Sequence, residues 1–284
     1  MKTSLKRILT LLVLFLFVFA AGCGVTDASL AAGDVSFQDG KLNVAFLDVG
    51  QGDSILLKSP DGKTMLIDAG EATEEEVIKS ALQNNGIEKI DYLIATHPHS
   101  DHIGSMPAIV EAYEIGEIYM PRASSNTKTY EQLLENIQEK GLTVHAGRAG
   151  VTLDFGEQVQ GEFLAPASEE YEETNNDSLV LKLTYGETSF LFTGDAEALS
   201  EGEMLESTPE KLDADVLKVG HHGSSSSSST DFLLAVSPEY AVISCGKENS
   251  YGHPHAETTY SLKQLGVTTY RTDLLGTILA VSDG

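Results

Sequence analysis

Four side chains of the kinds that bind metal ions lie within six consecutive positions and constrain the fold more than any other feature. The segment reads Thr96-His97-Pro98-His99-Ser100-Asp101-His102 and follows an apolar, strand-like run that ends at Ala95. Pro98 disfavours helix at His97 and keeps the segment extended, so His97 and His99 project to the same side. Asp101 and His102 then face a second locus nearby. Two such pairs predict two adjacent metal ions at a strand end, rather than a polar loop with histidines by chance.

Two metal ions held about 3.5–4 Å apart need a bridging ligand. Asp195 follows Gly194 at the end of a strand-like run, and we predict that its carboxylate is this bridge; the alternative is an N-cap for the next helix. His221 and His222 follow another strand-like run. One of them should complete the site of Asp101 and His102. His222 is the favoured ligand, which leaves His221 to contact the substrate.

Short β-like runs alternate with amphipathic helical runs from Leu42 to the C-terminus, and 41% of the residues are hydrophobic, enough for a sizeable core. This order predicts a layered α/β protein with a mixed sheet. Thr73 and Glu76 predict a capping box at a helix start. The range 103–113 predicts one helix. No repeat or composition shift divides residues 41–284, which we therefore expect to form one domain.

The first residues predict an export signal. Lys2, Lys6 and Arg7 precede an apolar run that ends at Ala21 and is too short for a permanent membrane span, which needs about 20 residues. The small residues before Cys23 resemble a bacterial lipobox. That resemblance implies cleavage after residue 22, lipidation of Cys23 and a protein anchored outside the cytoplasm to the lipid bilayer. An ordinary signal peptide or an uncleaved anchor is the alternative. Residues 24–40 lack periodicity and predict a tether.

Taken in order, these motifs resemble the metallo-β-lactamase superfamily, which implies a four-layer αββα sandwich with a dinuclear site at one edge of paired sheets. Asp68 matches the superfamily's first motif, which implies that it orients residues 96–102, called here the metal loop. A narrower resemblance is to the soluble hydrolase domain of the ComEC family of DNA-uptake proteins. It rests on the ranges 46–54, 176–181, 221–224 and 251–255, which read FLDVGQGDS, NDSLVL, HHGS and YGHPH.

Two departures from these families matter. The sequence shows no multi-spanning channel helices, so we expect no channel role. The third histidine that zinc β-lactamases place at the first metal is also absent, because His145 stands too early and is interpreted as a surface residue. Asp177 or water should complete the site of His97, His99 and Asp195. Fewer imidazoles and more oxygens weaken the preference for zinc, so Mn²⁺ could compete with Zn²⁺. β-Lactam hydrolysis is not expected.

The hypothesis for the reaction is hydrolysis of a phosphodiester by a hydroxide that bridges the two metal ions. Asp101 belongs to the catalytic set as well as to the metal ligands, and His221, His253 or His255 would protonate the leaving oxygen. The alternative for the last two histidines is a plain loop before a helix. We expect further substrate contacts from Gln51 and from the serine run at residues 224–229, in particular Ser224, Ser225 and Ser226; a flexible spacer is the alternative for this run. Lys218 is either the exposed face of a strand or a phosphate ligand.

The candidate substrates are extracellular DNA and the phosphorylcholine or polyol-phosphate diesters of cell walls. The chain carries 43 acidic and 18 basic residues, a formal net charge of −25. This acidic surface repels nucleic acid at long range, so no stable nucleic-acid complex is expected. The alternative from another class is a lipoprotein that binds metal or a phosphorylated ligand without turnover.

Overall fold

A computed structural model describes residues 29–32 and 36–284, which form two β-sheets packed face to face with helices on both outer faces. This is the predicted four-layer αββα sandwich, and the fold class is confirmed. Cys23 and the predicted signal peptide lie outside the described residues.

The first sheet contains eight strands. In chain order they are β1 (Ser29–Ala32), β2 (Leu42–Phe46), β3 (Ile55–Lys58), β4 (Thr64–Ile67), β5 (Lys89–Ile94), β6 (Glu114–Met120), β7 (Val144–Ala146) and β15 (Ile278–Ser282). The spatial order is β1-β15-β2-β3-β4-β5-β6-β7. Pairing is antiparallel from β1 to β4 and parallel from β4 to β7.

The second sheet contains seven strands. They are β8 (Thr152–Asp154), β9 (Val159–Ala165), β10 (Val180–Tyr185), β11 (Thr188–Phe192), β12 (Val216–Lys218), β13 (Tyr240–Ile243) and β14 (Thr268–Arg271). The spatial order is β14-β13-β12-β11-β10-β9-β8, parallel from β11 to β14 and antiparallel elsewhere. In both sheets, therefore, one half is parallel and requires helices to cross over it.

Helices fill the outer layers. They are α1 (Glu75–Asn84), α2 (Ser100–Ile103), α3 (Met106–Ala112), α4 (Lys128–Glu139), α5 (Ala198–Ser207), α6 (Thr230–Val236), α7 (Ala256–Gln264) and α8 (Thr272–Leu275). Apolar side chains of α1, α3 and α4 pack against the first sheet, and those of α5, α6 and α7 pack against the second. Phe46, Phe163 and Phe190 belong to the core between the sheets. No helix within the described ranges has the length and apolar content that crossing a bilayer requires.

The structure corrects several local predictions. The predicted capping box is absent, because a 3₁₀ turn over Ala72–Glu74 precedes α1 and Thr73 donates its hydroxyl hydrogen bond to Glu74 instead. The single helix expected over residues 103–113 is two helices, α2 and α3, separated at Gly104 and Ser105. An added Cβ at Gly104 would lie 2.3 Å from the backbone nitrogen of Ala72, so the close approach requires glycine. Within the predicted tether, residues 29–32 form an edge strand paired with β15.

The topology gathers several chain segments at one edge of the sandwich. β4, β5, β11, β12 and β13 each end there, because the parallel strands of a sheet have their carboxyl ends on the same side. The segments that follow carry the residues singled out from the sequence. They are Asp68 after β4, the 96–102 loop after β5, Asp195 after β11, His221 and His222 after β12, and Ser244 after β13.

Candidate metal centre

Asp195 lies between two groups of histidines, and each of its carboxylate oxygens faces a different group. Oδ1 is 3.2 Å from Nε2 of His102 and 3.5 Å from Nε2 of His222. Oδ2 is 3.8 Å from Nε2 of His97 and 3.7 Å from Nε2 of His221. Asp195 is not an N-cap, since the N-cap of α5 is Glu197. The carboxylate therefore has the position required to join two metal sites.

The second site consists of Asp101, His102, Asp195 and His222, the set expected from the sequence. One ligand atom from each of the four residues lies within 4.8 Å of the others. Nδ1 of His102 lies 2.8 Å from Oδ2 of Asp68, and Nδ1 of His222 lies 3.0 Å from the carbonyl oxygen of Ser244. An Nδ1–H donated to these acceptors fixes each ring with Nε2 free as a ligand. His222, rather than His221, thus occupies the ligand position.

His97 and His99 form the first site with Asp195. Nε2 of His97 lies 3.0 Å from Nδ1 of His99, a separation that two ligands of one ion adopt. Nδ1 of His97 faces the hydroxyl oxygens of Thr96 and Ser178 at 3.2 and 3.3 Å. Ser178 also accepts a hydrogen bond from the backbone N–H of Asp195 at 3.0 Å. Ser178 therefore couples the two elements that carry this site.

Metal ions explain why polar atoms without hydrogen bonds converge in a buried place. Within the described residues, Nε2 of His102, Nε2 of His222 and Oδ1 of Asp195 are buried and have no hydrogen-bond partner. Leaving such atoms unsatisfied costs free energy, whereas imidazole nitrogens and carboxylate oxygens are the ligands that Zn²⁺ and Mn²⁺ take. The residues present fit two divalent cations.

The electrostatics of the site favour positive charge. Burial would lower the pKa of His102, but Asp195, Asp101 and Asp68 outweigh it and hold that pKa well above its usual value. Burial acts in the same way on His222, and Asp195 and Asp53 raise its pKa to about 9. Burial would raise the pKa of Asp195, but His102 and His222 keep it well below the usual range. The carboxylate field that stabilises these protons also stabilises divalent cations, which compete with the protons.

Two backbone features hold the metal loop in place. Asp68 has φ 58°, a left-handed conformation that is rare for a residue with a Cβ, and its carboxylate accepts hydrogen bonds from the backbone N–H and hydroxyl of Thr96 at 2.8 and 2.6 Å. Gly52 has φ 145°, and an added Cβ would lie 2.4 Å from the carbonyl oxygen of Asp101. The turn at residues 50–53 therefore packs directly on the metal loop. Gln51, in the same turn, lines the cavity beside that loop.

A cavity of about 380 Å³, the metal cavity, opens above the metal ligands. Of the predicted site residues, its lining includes Gln51, His99, Asp101, Asp195, His221, His222 and His253. Ser125, Thr127 and Asn175 complete one wall, and Tyr251 forms part of another. Burial, together with His222 and His221, lowers the pKa of His253 to about 4, so this ring is neutral at neutral pH.

The position of the Lys218 side chain contradicts both predictions for it. Its side chain is neither exposed nor in the cavity: it is completely buried, and Nζ lies 2.7 Å from Oδ2 of Asp53 and donates to the carbonyl oxygen of Val219 at 2.9 Å. Oδ1 of Asp53 lies 3.3 Å from Nδ1 of His222. Lys218 therefore stabilises Asp53, which in turn contacts the metal ligand His222. Lys218 is buried because helices cover this sheet, so that both faces of its strands are shielded from solvent.

The serine run agrees with prediction only at Ser226, and His255 differs from it. Ser224 and Ser225 do not line the cavity, and neither does His255. Nδ1 of His255 accepts from the backbone N–H of Ser225 at 2.9 Å, and its Nε2 lies 3.3 Å from the carbonyl oxygen of Tyr251. His255 thus joins two loops. Ser226 is the serine that reaches the site, with its hydroxyl 3.0 Å from Nδ1 of His221.

Asp177 is not part of the metal site. It lines a separate small cavity with Arg122 and Arg148, and Asn175 lines the metal cavity instead. The cause is the 3₁₀ turn over Thr174–Asp177, which directs neighbouring side chains to different sides. His145 is exposed, as predicted, and stacks on Tyr119.

A family model described as the metallo-β-lactamase superfamily matches residues 47–247 of the chain. The chain belongs to the metallo-β-lactamase superfamily. ComE operon protein 3 of Bacillus subtilis is 32% identical over 252 residues, which is 83% of this chain and 32% of that protein. Competence protein ComA of Neisseria gonorrhoeae is 31% identical over 255 residues, 88% of this chain and 34% of that protein. The chain thus spans about a third of the length of these relatives, and the ComEC-type resemblance is confirmed.

Two solved structures share the fold. The metallo-β-lactamase fold protein YhfI of Bacillus subtilis superposes with a TM-score of 0.57 at 14% identity, covering 84% of this chain and 99% of that one. CmlA, a diiron β-hydroxylase from Streptomyces venezuelae, superposes with a TM-score of 0.54 at 16% identity, covering 83% of this chain and 53% of that one. At these identities the likeness concerns the fold alone.

Within this metallo-β-lactamase site, the sequence did not single out Asp53, Ser178 or Glu197. Asp53 stands in the motif Gly50-Gln51-Gly52-Asp53-Ser54, so a signal for it existed. Glu197 carried none, yet its Oε1 accepts from Asn175 and Ser226 at 3.1 and 2.9 Å and lies 3.3 Å from Nδ1 of His221. Glu197 therefore holds His221 against the cavity.

Proposed function

We propose that the chain is a dinuclear metal-dependent phosphodiesterase. The observation that carries this proposal is the position of Asp195, whose two oxygens face separate groups of ligands. Two ions when bound supply Lewis acidity and activate a water as nucleophile. Phosphoryl oxygens spread their charge over several atoms, and a paired cationic centre is suited to hold them.

The residues around the centre have distinct tasks in this proposal. Asp101, His102 and His222 would hold one ion, His97 and His99 would hold the other, and Asp195 would contribute to both sites. His221 faces the cavity with Nε2 while Glu197 and Ser226 hold Nδ1, so His221 is placed to give a proton to the leaving oxygen. Gln51 lines the cavity from the opposite turn, and its Oε1 accepts from the backbone N–H of Gly246 at 3.1 Å. Its amide nitrogen lies 3.5 Å from Nδ1 of His253, so one of its two N–H groups remains for the substrate.

The substrate in this proposal is a nucleic-acid phosphodiester. Competence protein ComA, which matches most of this chain, carries a name that refers to competence. Another relative is named recombination protein 2, of Haemophilus influenzae, 34% identical over 74% of this chain and 25% of that protein. The acidic surface lowers affinity for a polyanion, so turnover without a stable complex is expected.

The site of action in this proposal is outside the cytoplasm. It rests on the basic residues Lys2, Lys6 and Arg7, the apolar run after them and the small residues before Cys23. A lipid on Cys23 would attach the hydrolase to a bilayer. Replacing Cys23→Ser should release the protein from the membrane fraction without changing the activity of the released domain.

The first test is metal-dependent turnover. Purified chain, stripped with a chelator and reconstituted with Zn²⁺ or Mn²⁺, is assayed with bis(p-nitrophenyl) phosphate, single-stranded DNA, poly(glycerol phosphate) and nitrocefin. Hydrolysis of the first two, lost on chelation and restored by metal, supports the proposal. Bound metal with no turnover of any phosphodiester overturns it and favours a metal-binding lipoprotein, and selective cleavage of poly(glycerol phosphate) favours a cell-wall esterase.

A further inference from the structure

Two arginines lie at the same edge of the first sheet as the metal loop. β5, β6 and β7 are parallel neighbours, so their carboxyl ends share one edge. The metal loop follows β5, Arg122 follows β6 and Arg148 follows β7. Neighbouring strands are about 4.8 Å apart, so the arginines occupy places one and two strands along from the metal ligands.

The cavity that the arginines line adjoins the metal cavity. Arg122 and Arg148 line the smaller cavity, together with Ser168 and Asp177. Ser125 lies three residues after Arg122 and lines the metal cavity, and three residues span at most about 10 Å. A second short segment also connects the two cavities, because Asn175 lines the metal cavity and Asp177, two residues later, lines the smaller one. The arginines therefore lie within the reach of a chain molecule whose scissile group is at the metal centre.

Both guanidinium groups are available to an anion. Among the described residues, Arg122 forms an ion pair only with Glu169, at 3.4 Å between side chains that are 62% and 82% exposed, and such surface pairs contribute little. Arg148 is exposed and makes no ion pair within the described residues. The remaining described arginine, Arg271, is bound to Asp273. In an acidic chain, two of the three described arginines thus lie beside the site.

Planar guanidinium groups bind phosphate through two parallel hydrogen bonds, which suits them to hold a phosphate group in a fixed position. Tyr251 adds a feature for the other part of a nucleotide. Its ring lines the metal cavity, is 65% exposed and stacks on His253 at a centroid distance of 5.6 Å. A nucleobase can stack on such a ring, whereas a polyol phosphate has no flat face to do so.

We infer that Arg122 and Arg148 form a subsite for a phosphate neighbouring the scissile one in a single-stranded polynucleotide. This inference rests on the proposed phosphodiesterase function and deepens it, because it names a polymer rather than a small ester as the substrate. Glu169 opposes an anion at this subsite. Removing its charge frees Arg122.

The experiment compares two substrates of the metal-loaded protein. Bis(p-nitrophenyl) phosphate has one phosphate and cannot reach the subsite, whereas fluorescein-labelled octathymidylate can. Arg122→Ala with Arg148→Ala should lower kcat/KM for the oligonucleotide about 10- to 100-fold and leave the small ester unchanged. The slope of log kcat/KM against log salt should fall in magnitude by about 0.7, the value for one phosphate contact on a single strand. Glu169→Gln should change the oligonucleotide rate in the opposite direction.

Lys89→Ala is the matched control, because Lys89 is a basic residue at the opposite edge of the same sheet. An equal loss on both substrates, an unchanged salt slope, or the same effect from Lys89→Ala would overturn the subsite. If the metal-loaded parent hydrolyses neither substrate, the proposed function fails by itself. Fluorescence anisotropy of the labelled oligonucleotide then tests the subsite separately: weaker binding only in the arginine variants supports it, and equal binding refutes it.

Discussion

Nζ of Lys218 lies 2.7 Å from Oδ2 of Asp53, and both side chains are shielded from solvent beneath the metal ligands. Burial would raise the pKa of Asp53, but Lys218 and His222 outweigh it and hold the pKa below its usual value. Because Asp53 also contacts Nδ1 of His222, the ion pair fixes a charge directly behind a metal ligand. The pair thus links the stability of the fold to the geometry of the site.

Replacing Lys218→Met should destabilise the protein by about 3–5 kcal/mol, because the buried carboxylate of Asp53 would lose the cation that lies 2.7 Å from it. Urea denaturation of the metal-free protein measures this. The double variant Asp53→Asn, Lys218→Met is the control and should recover most of the loss, since it removes both charges. A single variant as stable as the parent would contradict the buried pair.

Asp195→Asn should reduce the bound metal from two ions to about one or fewer, because an amide cannot bridge two cations as a carboxylate does. Phosphodiester hydrolysis should fall by about 10³-fold or more, equivalent to several kcal/mol of stabilisation. Plasma mass spectrometry of the dialysed protein gives the stoichiometry. Asp213→Asn changes an exposed carboxylate elsewhere and should alter neither. Two ions bound equally tightly by the Asp195 variant would show that the carboxylate does not bridge.

The positions of the candidate ligands could be predicted because these residues follow strand ends. Glycine or proline beside ligand-type residues after an apolar run marks where a strand stops, and this placed the 96–102 loop, Asp195 and His222 correctly. The choice of His222 over His221 could not be derived from spacing. His222 and His221 both have left-handed backbone conformations, with φ 53° and 49°, and this backbone geometry decides which ring faces the other metal ligands.

Long-range packing accounts for the failures. Lys218 follows the alternation of a strand with one exposed face, but helices cover the second sheet and bury it. Asp177 and Asn175 differ by two positions, and only the observed 3₁₀ turn shows which faces the metal cavity. β7 and β8 are edge strands of three residues each, too short to give a clear alternation of apolar and polar residues.

Asp68→Asn should lower metal affinity about 10- to 100-fold without unfolding the protein, since outer groups of this kind orient the ligands they contact. Its carboxylate accepts from both Thr96 donors and contacts Nδ1 of His102, and an amide oxygen cannot serve all three. Titration of the stripped protein with Co²⁺ against a competing chelator gives the affinity. Asp154→Asn, an exposed change, should leave it unaltered, and an unaltered Asp68 variant would remove that residue from the metal site.

Glu201 should determine the order of the serine run. Its buried carboxylate accepts hydrogen bonds from the backbone N–H groups of Ser228 and Ser229, the second at 2.9 Å. Glu201→Ala would leave these donors unsatisfied, at a cost of about 1–3 kcal/mol. Hydrogen exchange should rise across residues 224–229, and kcat should fall because Ser226 no longer holds His221, the proposed proton donor. Glu206→Ala on the exposed side of α5 is the control, and unchanged exchange in the Glu201 variant would contradict the prediction.

Asp177 should make stability fall as pH rises. Burial raises its pKa from 3.8 to about 6 in the folded protein, so the unfolded chain loses this proton first. The folded state is therefore favoured below pH 4, and that advantage is lost as the pH rises through about 6. Asp177→Asn avoids the buried charge and should be more stable than the parent by about 1–3 kcal/mol at neutral pH, with little difference at pH 4.

Urea denaturation in the presence of a chelator, at both pH values, measures this difference without a contribution from metal release. Other carboxylates titrate in the same window, so the quantity to compare is the difference between variant and parent at each pH. Glu170→Gln is the matched control: it removes an exposed carboxylate from the preceding loop and should show no such pH-dependent difference. If the Asp177 variant follows the parent at both pH values, the buried carboxylate is already relieved by solvent or a partner, and the raised pKa is wrong.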